Sequence, residues 1–158
     1  MPYKAAVKKH VHSFGFGQDW AVSSLRPTGI YGLRRPIERT RWFNMVRDVA
    51  AGHPVHSPAG GKEVHAADVA KAVGILLESP ADTIAGQAYN CCDMYVAEQD
   101  VAAIAKQLTG SNSEIATLNH GPKYQIDTSK IRQLGMKFGG RALLEETIGH
   151  IADAIGVA

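Results

Sequence analysis

Residues 20–26, WAVSSLR, form a mostly apolar run of strand length that ends at Pro27, and segments with helical periodicity flank them on both sides. On the N-terminal side Tyr3, Ala6, Val7, His10, Val11 and Phe14 recur on one face of a helix predicted over 3–14, which Gly15 and Gly17 should stop. On the C-terminal side, after a basic loop Arg34-Arg35-Pro36, residues 37–51 carry Ile37, Trp42, Met45, Val46 and Val49 at helical intervals and close at Gly52. A chain that passes repeatedly from helix period to strand period has to bury helix stripes against a sheet, so the predicted class is α/β.

The same alternation continues downstream. A short strand is expected around 62–64, a helix over 67–79 ended by Pro80, a strand over 86–92, and a helix over 98–108 stopped by Gly110. A further strand is expected over 113–118, then a short helix capped by Asp127 or Thr128, and a final amphipathic helix over 143–155. With 158 residues and 45% hydrophobic content, the chain is expected to be a single domain over 1–158.

Charge and composition exclude several classes. The net charge is +2, with Lys and Arg dispersed along the chain, so nucleic acid is not an expected partner. No apolar stretch approaches the roughly 18 residues of a membrane span, and the start MPYKAAVKKH lacks the apolar core of a secretory signal. The expected location is the cytoplasm, with no membrane partner. Cys91 and Cys92 are adjacent and point to opposite faces of a strand, so reduced thiols are expected.

Three familiar chemistries fail on spacing. Gly60-Gly61-Lys62 is not a phosphate loop, because His56 stands where that motif needs its first glycine and Glu63 where it needs Ser or Thr. No metal site is expected: His10 and His12 diverge on their helix, and no other His or Cys pair has ligand spacing. No Gly-x-Gly-x-x-Gly follows any strand, so a self-contained dinucleotide fingerprint is absent.

Five segments in fixed order nevertheless carry a resemblance: YKAAVKKHV at 3–11, LRPTGIYG at 25–32, VHAADVAKAV at 64–73, GQAYNCCD at 86–93 and IDTSKIRQLG at 126–135. Together they resemble the C-terminal half of an extended short-chain dehydrogenase/reductase of the NAD(P)-dependent epimerase/dehydratase kind. The fold this implies is the C-terminal portion of a Rossmann-like enzyme together with its substrate-binding subdomain. The resemblance implies that the turn after the Leu-Arg-Pro strand faces the nicotinamide, which makes Pro27, Thr28, Gly29 and Ile30 cofactor contacts; Pro27 fixes φ, and Gly29 lets the backbone approach a flat ring. Tyr31 then leads into the substrate cleft.

The family's catalytic pair is Tyr-x-x-x-Lys on a helix, a spacing that lets the ammonium lower the phenol pKa and hold the ribose hydroxyls. Val7 stands where Tyr3 would need its lysine, so the resemblance makes Lys4 the catalytic and cofactor-binding lysine. Its tyrosine, the glycine-rich turn and the catalytic Ser or Thr are not in the sequence, and the chain looks like half an enzyme. It is therefore expected neither to turn over nor to bind NAD or NADP alone. The middle segments suggest substrate contacts at Tyr31, Arg41, Trp42, Lys62 and His65. Gly61 replaces an arginine with which the family's sugar-nucleotide enzymes hold a diphosphate, which favours a smaller hydroxy or keto compound, while Arg34, Arg35, Arg39 and Arg41 remain available to an anion. The expected partners are a small-molecule substrate, a separate N-terminal half, and a second copy of the chain in a homodimer or higher oligomer through the 3–14 helix and the 20–26 strand. The alternative is a non-catalytic binding or assembly module derived from the same fold.

Overall fold

The computed structural model describes residues 2–18, 20–117 and 123–156, with backbone alone for 2–5. In chain order its elements are α1 (Pro2–Gly17), β1 (Ser24–Pro27), β2 (Gly29–Tyr31), α2 (Phe43–Ala50), β3 (Gly60–His65), α3 (Ala66–Glu78), α4 (Ala81–Ile84), β4 (Ala88–Cys91), β5 (Met94–Ala97), α5 (Glu98–Thr109), α6 (Ser129–Gln133) and α7 (Gly140–Ala154). They form two compact units, each drawn from three separate stretches. The first comprises Met1–Thr28, Ala67–Cys92 and Ile126–Phe138, and the second Gly29–Ala66, Asp93–Gln125 and Gly139–Ala158.

In the first unit β1 and β4 pair in parallel, Ser24 opposite Ala88 through Pro27 opposite Cys91. Leu76, Tyr89, Ile131 and Met136 are buried there. The expected strand over 20–26 is displaced toward the C-terminus, because β4 offers only four residues to pair with and these begin opposite Ser24. Trp20 is left exposed and stacks on Phe14 with ring centroids 5.1 Å apart. The first helix also overruns its predicted end. Gly15 does not stop α1; it admits the loop before β4, since a Cβ on Gly15 would overlap the backbone nitrogen and Cα of Gly86. Of the predicted apolar stripe, Val7 and Phe14 are exposed.

In the second unit β2, β3 and β5 form one sheet, with β2 parallel and β5 antiparallel to β3. Its core is built by α2, α5 and α7, through Val46, Val49, Val101, Ile104, Ile148 and Ile151. The predicted helix over 37–51 divides into a 3-10 turn at Ile37–Arg39 and α2. The break has a clear origin. The buried Thr40 closes the turn through its N–H to the Ile37 carbonyl at 2.8 Å, and its Oγ1 accepts the Arg34 N–H at 3.0 Å. Trp42 then takes a left-handed φ of 68°, which no helix can accommodate. β5 is too short for alternation to reveal in the sequence, and of the strand expected over 113–118, whose last residue lies outside the described ones, the described residues form one bridge between Val55 and Ile115. Gly110 ends α5 at φ 64°, as the periodicity predicts. Among the described residues, no helix is long and apolar enough to cross a membrane.

The Gly15 contact yields a stability prediction. Gly15→Ala forces α1 off Gly86 and costs roughly 1–3 kcal/mol, as overpacking does. Gly17→Ala, where a Cβ meets nothing within 4 Å, costs nothing. Urea unfolding of the two variants makes the comparison.

Candidate functional site

The first unit holds a cleft of about 410 Å³ at the C-terminal end of β1, with Val7, Leu25, Pro27 and Ile126 among its apolar lining and Lys8, Arg26 and Asn90 among its polar lining. Thr28 belongs to the same wall. Its N–H donates to the Cys91 carbonyl at 3.1 Å, while its Oγ1 is buried with no hydrogen-bond partner among the described residues. A buried hydroxyl without a partner costs about 1–3 kcal/mol.

The second unit holds a cleft of about 570 Å³ lined by Ile30, Tyr31, Leu33, Arg34, Arg39 and Arg41, among others. Ile30 and Leu33 are exposed, so the cleft combines apolar surface with three guanidinium groups. Behind Arg41 lies a carboxylate that the sequence did not single out as functional. Glu63 is 2% exposed and takes a 2.6 Å ion pair from Arg41 Nη1. Burial pushes its carboxyl above 4.5, and the charge and hydrogen bond of Arg41 oppose this without cancelling it. Arg41 also lies 4.8 Å over the Trp42 ring, whose buried Nε1 has no partner among the described residues.

Register explains how the carboxylate fits. Gly29 is the β2 residue opposite Glu63, and Gly61 lies two residues before Glu63 on the same face of β3. A Cβ on Gly29 would stand within 2.9 Å of Glu63 Oε1, and one on Gly61 would meet Oε1 at 2.5 Å. Gly29 thus provides room for a buried carboxylate, and Gly61 provides the same room.

The predicted site residues divide between the units. Lys4 lies in α1, with its side chain outside the described residues. Pro27 and Thr28 line the first unit's cleft; Gly29, Ile30, Tyr31, Arg41, Trp42, Lys62 and His65 belong to the second unit. Tyr31 is 2% exposed, packed 5.1 Å from His65 and 5.4 Å from Trp42 between ring centroids, so it is as much core as cleft wall.

With a parallel strand pair backed by helices and this turn in place, the comparisons with known proteins identify the family. The chain belongs to the NAD dependent epimerase/dehydratase family, whose model matches residues 2–92. Among solved structures it is similar to RMD from Pseudomonas aeruginosa complexed with NADPH, at 16% identity, TM-score 0.70, 95% of this chain and 52% of that one. UDP-glucose 4-epimerase from Thermotoga maritima with UDP-glucose gives 17% identity, TM-score 0.68, 96% and 52%. dTDP-glucose 4,6-dehydratase from Bacillus anthracis in complex with NAD gives 18% identity, TM-score 0.66, 96% and 50%. The chain spans about half the length of these structures. No curated protein matches it.

These findings correct the expected placement within the family. The chain is not assigned to the C-terminal, substrate-side half with its substrate subdomain; the match over residues 2–92 relates it to the cofactor-binding half of an α/β Rossmann-like fold. Motif order identifies the family, but one missing glycine turn does not establish which half is present. The parallel pairing of β1 and β4 agrees with an α/β Rossmann-like sheet.

The buried ion pair yields the next prediction. Because the folded pKa of Glu63 is raised, the folded protein holds that proton more tightly than the unfolded chain does. The resulting stability is complete below 4.5 and is lost as pH rises from there through the folded value. The wild type therefore loses stability relative to Glu63→Gln over that rise, measured by urea unfolding at stepped pH. Arg41→Ala costs about 1–3 kcal/mol at neutral pH, below the usual cost of breaking a buried pair because water reaches the half-exposed arginine.

Proposed function

We propose that the chain serves NAD(P)-dependent oxidation and reduction at a secondary alcohol carbon of a sugar-like substrate. The nicotinamide end of the cofactor packs against residues 27–28 in the first unit's cleft. The observation that carries this reading is the buried Oγ1 of Thr28, without a hydrogen-bond partner among the described residues, in a largely apolar cleft of a chain of this family. A carboxamide-bearing ring suits such a wall, because the apolar lining takes the ring faces and the hydroxyl takes one amide hydrogen bond. When bound, the nicotinamide supplies hydride acceptance and return at the carbinol carbon. Lys4, in the first turn of α1, is the residue we assign to the ribose hydroxyls. The sequence supplies no glycine-rich turn for the pyrophosphate, so the ring end carries the binding.

Amide chemical shifts followed through parallel titrations with NADH and reduced nicotinamide mononucleotide test this. Both perturb residues of the 410 Å³ cleft, with dissociation constants within about threefold of each other, and Thr28→Val weakens both about fivefold. The reading fails if neither compound perturbs the cleft, or if Thr28→Val binds as well as the wild type.

A further inference from the structure

Beside the proposed cofactor wall, the first unit carries a second, more polar cavity of about 220 Å³ that the function above does not use. Four elements build it. Lys8 and His12 stand one helical turn apart on α1, so both face the same way. Arg26 on β1 is the register partner of Asn90 on β4, which places the two side by side on one face of the strand pair. Asp127 and Lys130 come from the start of α6, and Gln87 from the approach to β4.

The hydrogen bonding among these groups leaves positive charge uncompensated. Asn90 Nδ2 donates to the Asp127 carbonyl at 2.9 Å, and Lys130 Nζ donates to Gln87 Oε1 at 2.9 Å. The carboxylate of Asp127, the one acidic side chain in the lining, accepts the Ser129 N–H at 2.8 Å, and that bond holds its pKa below the usual value. Lys8 and Arg26 make no ion pair among the described residues. His12 Nε2 is buried, and no described group partners it. Three cations crowd a small polar cavity whose one carboxylate, facing Lys130, offsets them only in part, and the buried His12 Nε2 has no hydrogen-bond partner among the described residues. One oxyanion answers both deficits.

We propose that this cavity binds a phosphate group, with Arg26 and Lys130 as its charged donors, Lys8 as a further cation and His12 Nε2–H as a buried donor. The guanidinium suits two phosphate oxygens at once, and the volume takes a phosphate with a few further atoms. The cavity shares Lys8, Arg26 and Asn90 with the lining of the 410 Å³ cleft, while His12, Gln87, Asp127 and Lys130 are its own, and it is distinct from the arginine cleft of the second unit.

The test is a titration of the isotope-labelled full chain with inorganic phosphate at constant ionic strength, read by amide shifts. Saturable shifts centred on Lys8, Arg26, Asn90 and Lys130 are expected, with a dissociation constant of about 1–10 mM. Arg26→Gln and Lys130→Gln each weaken it about fivefold. Asp127→Asn, which keeps an acceptor for the Ser129 N–H while removing the opposing charge, tightens it about threefold. Lys9→Gln, outside the lining, leaves it unchanged. Methyl phosphate titrated alongside separates the sources: tighter binding than phosphate supports the site with a phosphomonoester as ligand, and weaker binding supports it with the free ion. The proposal is overturned if phosphate gives no saturable shifts at these residues, if Arg26→Gln and Lys130→Gln respond like the wild type, or if Asp127→Asn weakens binding.

Discussion

A carboxylate almost wholly withdrawn from water has to be answered by neighbouring groups, and in the second unit Glu63 sets what its neighbours are. Its cross-strand partner Gly29 and its same-face neighbour Gly61 have no side chains, and Arg41 reaches in to supply the opposing charge. Desolvating a charge costs several kcal/mol, and the 2.6 Å contact with Arg41 offsets only part of that, so the Glu63 carboxyl stays raised. Arg41 is held on its other side by the Trp42 face, and Trp42 is the residue whose left-handed backbone delays the start of α2. The position of the cleft arginine thus traces back to one buried acid.

Much of the fold is legible in the sequence because apolar periodicity reports burial directly. α3, α5 and α7 lie close to where Val, Ile and Leu spacing puts them. What periodicity cannot report is tertiary contact. Gly15 has the local appearance of a helix stop, yet it lies inside α1 because Gly86 packs on it. The 37–51 segment has a helical pattern throughout, but the Thr40 hydrogen bonds and the φ of Trp42 are set by the turn they close. The candidate site was only partly legible for the same reason. Pro27 and Thr28 stand out as a strand terminus, whereas Glu63 gives no signal in sequence beyond a charged residue in a strand. The two glycines that accommodate it are 32 positions apart, and only register brings them together over one carboxylate.

The motif order identified the family, and residues 2–92 confirm it, but the half of the longer relatives to which the chain corresponds could not be taken from the motifs. A missing glycine turn bears on how tightly a pyrophosphate is held; it is not a measure of position along a fold. The functional reading therefore rests on unmet local needs in the structure. In the first unit these are the Thr28 hydroxyl and Nε2 of His12, each buried with no hydrogen-bond partner among the described residues. In the second they are guanidinium groups beside exposed Ile30 and Leu33.

The 29–31 strand is shaped by Glu63, and Gly29 is needed to make room for its carboxylate. A double-mutant cycle between Gly29→Ala and Glu63→Ala, read by urea unfolding without any ligand, tests it most directly. Gly29→Ala should be costly beside Glu63 and nearly neutral once the carboxylate is gone, a coupling of about 1–3 kcal/mol. Additive costs in the cycle would contradict the account and return Gly29 to the role of a simple turn residue.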